Sequence, residues 1–207
     1  MGSGLTGRLR RVGYGRPVVV VSGLPRSGTS MVMQMLEAGG LGVGTDRVRE
    51  GDEDNPRGYF ELEKVKDLDK GGDKRWLKEY RGLAIKVISY LLRDLPRQVN
   101  YRVIFIERDL DEVLRSQKKM LERRGEKSDD VSDGKLRGTF SGHLEEVRRL
   151  LGESASFDTL YVGHRDLLEH PSGEARRIND FLGGHLDESA MAAQVDRTLY
   201  RNRREGR

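Results

Sequence analysis

An α/β fold, built as a three-layer sandwich around a central and mainly parallel sheet, is what this sequence predicts. Three observations predict it. Short β-branched or apolar runs alternate along the chain with stretches of helical periodicity, the order expected of parallel strands joined by right-handed crossovers. One run, Arg102 to Glu107 (RVIFIE), is apolar almost throughout, as suits a strand buried on both faces. The first run, Pro17 to Val21, leads directly into a turn carrying two glycines and then into an apolar helix.

Taken in order, residues 1–16 read as a loose, basic, glycine-rich arm. Pro17 to Val21 is the first strand, Ser22 to Ser30 the turn, and Met31 to Leu36 starts the first helix, which Gly39-Gly40 ends. Residues 42–54 are polar loop, and Asn55-Pro56-Arg57-Gly58 has turn chemistry. Leu62, Val65 and Leu68 then recur at helical spacing, and Leu83 to Ser89 is the second strand. After the third strand at 102–107, Asp109 caps a helix, with Glu112 placed to complete a capping box. Its apolar stripe of Leu110, Val113, Leu114, Gln117 and Leu121 is expected to face the sheet, leaving Ser116 on the flank. Residues 123–135 are polar and aperiodic. Leu136, Phe140, Leu144, Val147 and Leu151 mark a long amphipathic helix, Phe157 to Val162 a fourth strand, and 172–182 and 188–195 two more helices. The reading is a single domain over 17–200 followed by a basic tail, 201–207.

Composition narrows the function classes. A length of 207 residues suits one domain with a real core. Charged residues make up 35% of the chain but both signs are interspersed, so the net +4 favours anionic ligands without demanding nucleic acid, for which no fingerprint is present. Zero cysteines exclude disulfides and thiolate metal sites and fit a cytoplasmic protein. No stretch has the apolar length of a membrane span.

The turn is where chemistry begins. A strand, a glycine-rich turn and a helix form a phosphate cradle, because the first N–H groups of the helix lack internal partners and point at the turn. Gly23 and Gly28 enclose four residues, the P-loop spacing, yet Thr29-Ser30 follows where a nucleoside triphosphatase has Lys and then Ser or Thr. The cation stands inside the loop instead, as Arg26. Such a loop still binds phosphate through Ser27, Gly28, Thr29 and Ser30, but is poorly equipped for a magnesium triphosphate. A second anion element follows the third strand. Arg108 sits where ligands of open α/β sheets bind, and Ser116 comes eight residues on, so a guanidinium fork and a hydroxyl can hold another phosphate.

LPRSGTS and VIFIERDLDEVLRSQ together resemble the 5′-phosphosulfate and 3′-phosphate elements of the sulfotransferases, with NPRGYFE, the Lys86 strand and the late DLLEHP…FLG segment in the order seen in small bacterial-type members. The resemblance spans most of 17–200 and implies a P-loop-like α/β fold, 3′-phosphoadenosine 5′-phosphosulfate as donor, an acceptor oxygen or nitrogen, and no metal. The chain departs from cytosolic members in three places. Lys86-Val87-Ile88 stands where they have Lys-Thr-His with a basic histidine, His164 stands where they place a tyrosine against adenine, and their glycine-rich C-terminal motif is missing.

Sulfuryl transfer needs an aligned donor, a neutralised bridging oxygen and usually a base. Arg26 is assigned to the bridging and terminal oxygens, since its charge is permanent. Lys86 reaches the same oxygens or is a structural strand-edge lysine. Glu61 is the candidate base, following a turn at the sheet's carboxyl edge; the alternative is a carboxylate favoured at a helix start. His164 is placed to stack on or hydrogen-bond the adenine. His143 reads as a core histidine with one satisfied nitrogen, and Tyr59, Trp76 and Tyr80 as core or acceptor-pocket aromatics. A P-loop kinase or hydrolase using Glu107 to hold magnesium, and a non-catalytic nucleotide-binding protein, are the competing readings.

Overall fold

The computed structural model describes residues 14–46, 58–123, 125 and 133–196. The arm up to residue 13, Asn55-Pro56-Arg57, most of the 123–135 segment and the basic tail therefore lie outside the described residues. Four strands form one all-parallel sheet in the order β2-β1-β3-β4: β1 (Val18–Gly23), β2 (Ala84–Lys86), β3 (Tyr101–Glu107) and β4 (Phe157–Gly163). Seven α-helices are described, α1 (Thr29–Ala38), α2 (Glu63–Lys66), α3 (Leu110–Arg123), α4 (Asp133–Glu153), α5 (His164–Glu169), α6 (Pro171–Leu182) and α7 (Glu188–Ala193), with 3₁₀ turns at Leu68–Lys70, Arg75–Tyr80 and Ser89–Asp94.

Strand alternation divides the core into two layers. Val18 and Val20 of β1 point into a cluster with Leu68, Leu77, Leu92, Val147 and Leu151, beneath α4 and the 3₁₀ turns. Val19 and Val21 point the other way, against α1, α6 and α7 through Met33, Leu36, Ile178 and Met191. Both faces of β1 are thus covered, which explains its unbroken apolar composition. Its neighbour β3 is likewise buried from Val103 to Ile106.

Two sequence expectations are corrected. The second strand is shorter than 83–89: after Lys86 only the Val87 N–H still pairs with β1, to Val21 O at 3.0 Å, and the chain turns into the 3₁₀ segment at Ser89. The inner face of α3 is also rotated. Its buried residues are Glu112, Val113 and Ser116, while Leu110 and Leu114 pack only partly buried against Leu24 and Phe140. Ser116 is inside because Arg26 beneath the helix donates to its hydroxyl, and Glu112 because it pairs with Arg108.

Candidate active site

The loop between β1 and α1 has a left-handed turn at both critical positions. Gly28, the N-cap of α1, has φ 102°, and Arg26 has φ 70°. A non-glycine residue in that region costs energy and persists only where its surroundings hold it. Here the surroundings are explicit. Arg108 Nη1 donates to the Arg26 carbonyl at 2.9 Å, and Arg26 Nε donates to Ser116 Oγ at 3.1 Å. The two anion elements that the sequence sets apart therefore share hydrogen bonds at the carboxyl edge of β1 and β3.

Arg108 is itself positioned by a nearly buried ion pair, its Nε 3.1 Å from Glu112 Oε2 one helical turn on. Asp109 caps α3, its Oδ1 accepting from the N–H groups of Asp111 (2.9 Å) and Glu112 (3.2 Å). The Glu112 carboxylate that sequence reasoning directs back to the cap instead orients the arginine. This role was missed because a capping box and an i,i+4 ion pair draw on the same residue.

Helix α1 has neither a side-chain cap nor an acidic residue in its first turn, which leaves its leading N–H groups to a ligand. The hydroxyls of Ser22 and Ser27 are buried with no hydrogen-bond partner among the described residues. A Cβ at Gly23 would collide with the Ser27 hydroxyl and approach Ile106 O to 2.8 Å, so glycine is required there. Thr29 and Ser30 add half-buried hydroxyls at the helix start.

His164 closes the far side of this loop. It is buried at the start of α5, and a Cβ on Gly28 would lie 2.6 Å from its Cδ2. Burial, aided by the nearby Arg108 charge, holds the imidazole down to about 3. The neutral ring packs on the loop at Gly28.

Glu61 and Lys86 come together one strand over, at the end of β2. Lys86 Nζ lies 3.7 Å from Glu61 Oε1, donates to the Tyr59 carbonyl, and stands over the Tyr59 ring at 5.7 Å from its centroid. Lys66 Nζ reaches the other carboxylate oxygen at 3.4 Å. Phe60, between Tyr59 and Glu61, has φ 51°, and with Arg26 makes the two left-handed non-glycine residues among those described. Thr45 Oγ1 and the Asp46 N–H both donate to the Glu61 carbonyl, at 3.3 and 3.0 Å, fixing the segment. Trp76 and Tyr80 pack edge to face, 5.7 Å apart, on the core beneath the sheet. Among the described residues no group of three or more His, Asp or Glu side chains could hold a metal ion, and no helix is long and apolar enough to cross a membrane.

Compared with solved structures, the chain superposes on the sulfotransferase domain from the curacin biosynthetic pathway with a TM-score of 0.52, over 87% of this chain and 83% of that one. The fold is sulfotransferase-like. Sequence identity in that pair is 12%, so the likeness is one of architecture. A sulfotransferase from Alicyclobacillus acidocaldarius aligns over 89% of this chain and 88% of that one, also at 12% identity, with a TM-score of 0.46. No family model matches the chain, and no curated protein matches it significantly.

Proposed function

We propose that the chain is a sulfotransferase using 3′-phosphoadenosine 5′-phosphosulfate and transferring its sulfuryl group to a hydroxyl or amine of an acceptor. The observation that carries this reading is the direct linkage of Arg26 to Ser116 and Arg108 around an uncapped helix start. The unpartnered Ser22 and Ser27 hydroxyls and the glycine cradle fit a tetrahedral anion of that kind. The donor, when bound, supplies an activated sulfuryl group and leaves as a bisphosphate.

The residues divide the work. Gly28, Thr29 and Ser30 N–H groups with the Ser27 hydroxyl hold the 5′ anion, and Arg26 neutralises charge on the bridging oxygen as it grows. Arg108 and Ser116 hold the 3′-phosphate, with His164 keeping the loop in shape from behind. Lys86 adds positive charge from the β2 side. Glu61 accepts the proton of the acceptor as its oxygen attacks, and the new bond to sulfur forms while the bridging bond breaks.

A kinase or hydrolase reading needs a carboxylate for magnesium at the end of β3. Glu107 is instead engaged by Arg148, with Nη2 2.7 Å and Nε 3.0 Å from its Oε1, which argues against that use. Thermal denaturation tests the reading. 3′-Phosphoadenosine 5′-phosphate without magnesium is expected to stabilise the protein, by about 2.7 kcal/mol at a hundredfold excess over Kd, and magnesium-ATP is not. Glu61→Gln is expected to keep that shift while lowering turnover about 100-fold or more. Turnover at the wild-type rate would remove Glu61 from the mechanism, and a response to magnesium-ATP alone would remove the sulfotransferase reading.

A further inference from the structure

A basic cleft stands on the outer side of α3. Asp111, Leu114, Arg115 and Lys118 recur at helical spacing and share one face of that helix. That face is turned nearly opposite to Glu112 and Ser116, which engage the arginines beneath the helix. With Gly134 and Arg137 of α4 the four residues line a cleft of about 370 Å³, a volume in the range of small-molecule sites. Arg137 Nη1 donates to Asp111 Oδ1 at 2.9 Å and so braces the start of α4 against α3. A Cβ on Gly134 would meet no atom within 4 Å, so that wall of the cleft stands open. Leu114 is half-buried, packed on its inner side with Leu24 and Phe140, and supplies an apolar floor.

The charges in the cleft do not cancel. Asp111 is neutralised by Arg137, while Arg115 and Lys118 are exposed and form no ion pair among the described residues. Three cations and one carboxylate therefore leave an excess of two positive charges. A phosphate monoester carries about two negative charges at neutral pH and three acceptor oxygens, which matches both that excess and the donors of two guanidinium groups and an ammonium. We propose that this cleft binds a small phosphate monoester, with the dianion among Arg115, Lys118 and Arg137 and the organic part over Leu114. The confined volume favours a small ligand over a long polyanion. Because the cleft lies on the face of α3 turned away from Arg26 and Arg108, this site is additional to the proposed sulfotransferase site and does not depend on it.

The test uses the full chain near pH 7.5, above the second ionisation of a phosphate ester at about 6. Phenyl phosphate is the probe, phenyl sulfate its monoanionic match in shape, and inorganic phosphate the ligand without an organic part. Titration followed by backbone amide shifts reads position and affinity together. Phenyl phosphate is expected to shift amides at 111–118 and 134–137. It should bind about tenfold or more tighter than phenyl sulfate and about threefold or more tighter than inorganic phosphate. Arg115→Gln and Lys118→Gln, surface changes that leave the core intact, are each expected to weaken the probe about fivefold or more. Arg149→Gln removes a charge from an exposed position of α4 outside the cleft and is expected to change affinity by less than about twofold. Amide shifts confined to 23–30, equal affinity for either control ligand, or an equal loss in Arg149→Gln would each overturn the proposal. The readout needs neither a sulfuryl donor nor turnover, so an inactive protein would strike the proposed function and leave this result standing.

Discussion

Gly28 is constrained twice over. Its φ of 102° excludes L side chains by backbone sterics, and the His164 ring fills the space where a Cβ would go. Gly28→Ala is therefore expected to destabilise the protein by about 2–3 kcal/mol and to abolish the nucleotide-induced thermal shift. Urea denaturation with and without 3′-phosphoadenosine 5′-phosphate checks both parts; an alanine variant of wild-type stability would refute the packing argument. That Gly28 belongs to a glycine-rich turn between strand and helix is legible from its spacing to Gly23. That a histidine 136 positions later enforces it is not, since β4 and β1 are separated by β3 in the sheet and only the segments that follow them come together. The left-handed backbones of Arg26 and Phe60 were equally illegible, because neither residue type favours that conformation and only their neighbours impose it.

Helix α3 shows how an element can be found correctly and yet be turned differently from its apolar pattern. Hydrophobic periodicity locates it, but the face it buries includes Glu112 and Ser116, each engaged by an arginine. Burial of apolar area is worth about 1.5–3 kcal/mol per large side chain, whereas an uncompensated buried guanidinium costs more, so the arginines decide the rotation. Leu110 and Leu114 are then left to pack with Leu24, Val113, Phe140 and Tyr90, a cluster that ties α3, α4 and the β1–α1 loop together. Phe140→Ala is expected to cost about 3 kcal/mol by cavity formation and to weaken nucleotide binding as well, since Leu24 loses its support. Denaturation midpoints together with nucleotide affinity check this. A stability loss with unchanged affinity would mean that the cluster is only structural.

Across the whole molecule, pH dependence should expose the buried histidine. In the unfolded chain His164 takes up a proton near its ordinary value of about 6.5. In the folded protein it does so only near about 3. The unfolded state thus binds the extra proton between those limits, so the stability contributed by the neutral ring is complete above pH 6.5 and declines as the pH falls toward 3. The slope is on the order of 1 kcal/mol per pH unit. Urea midpoints measured at pH 7 and pH 5 are expected to fall more steeply in the wild type than in His164→Gln, and parallel curves would contradict the assignment.

The order of the four strands and of the longer helices, the glycine-rich β1–α1 turn and the arginine that follows β3 were readable from residue order, because each depends on local periodicity, turn chemistry or short spacing; the short helix α5 and the 3₁₀ turns were not. Distances between remote residues were not. Ser116 on Arg26, His164 on Gly28, and His143 on Tyr90 and Ser89 join positions 53 to 136 residues apart, and such contacts are set by how the layers pack on the sheet. Sequence periodicity specifies which faces are apolar, but the rotation of a helix and the rotamers beneath it follow from filling a common volume and pairing every buried charge, conditions that only the folded chain satisfies.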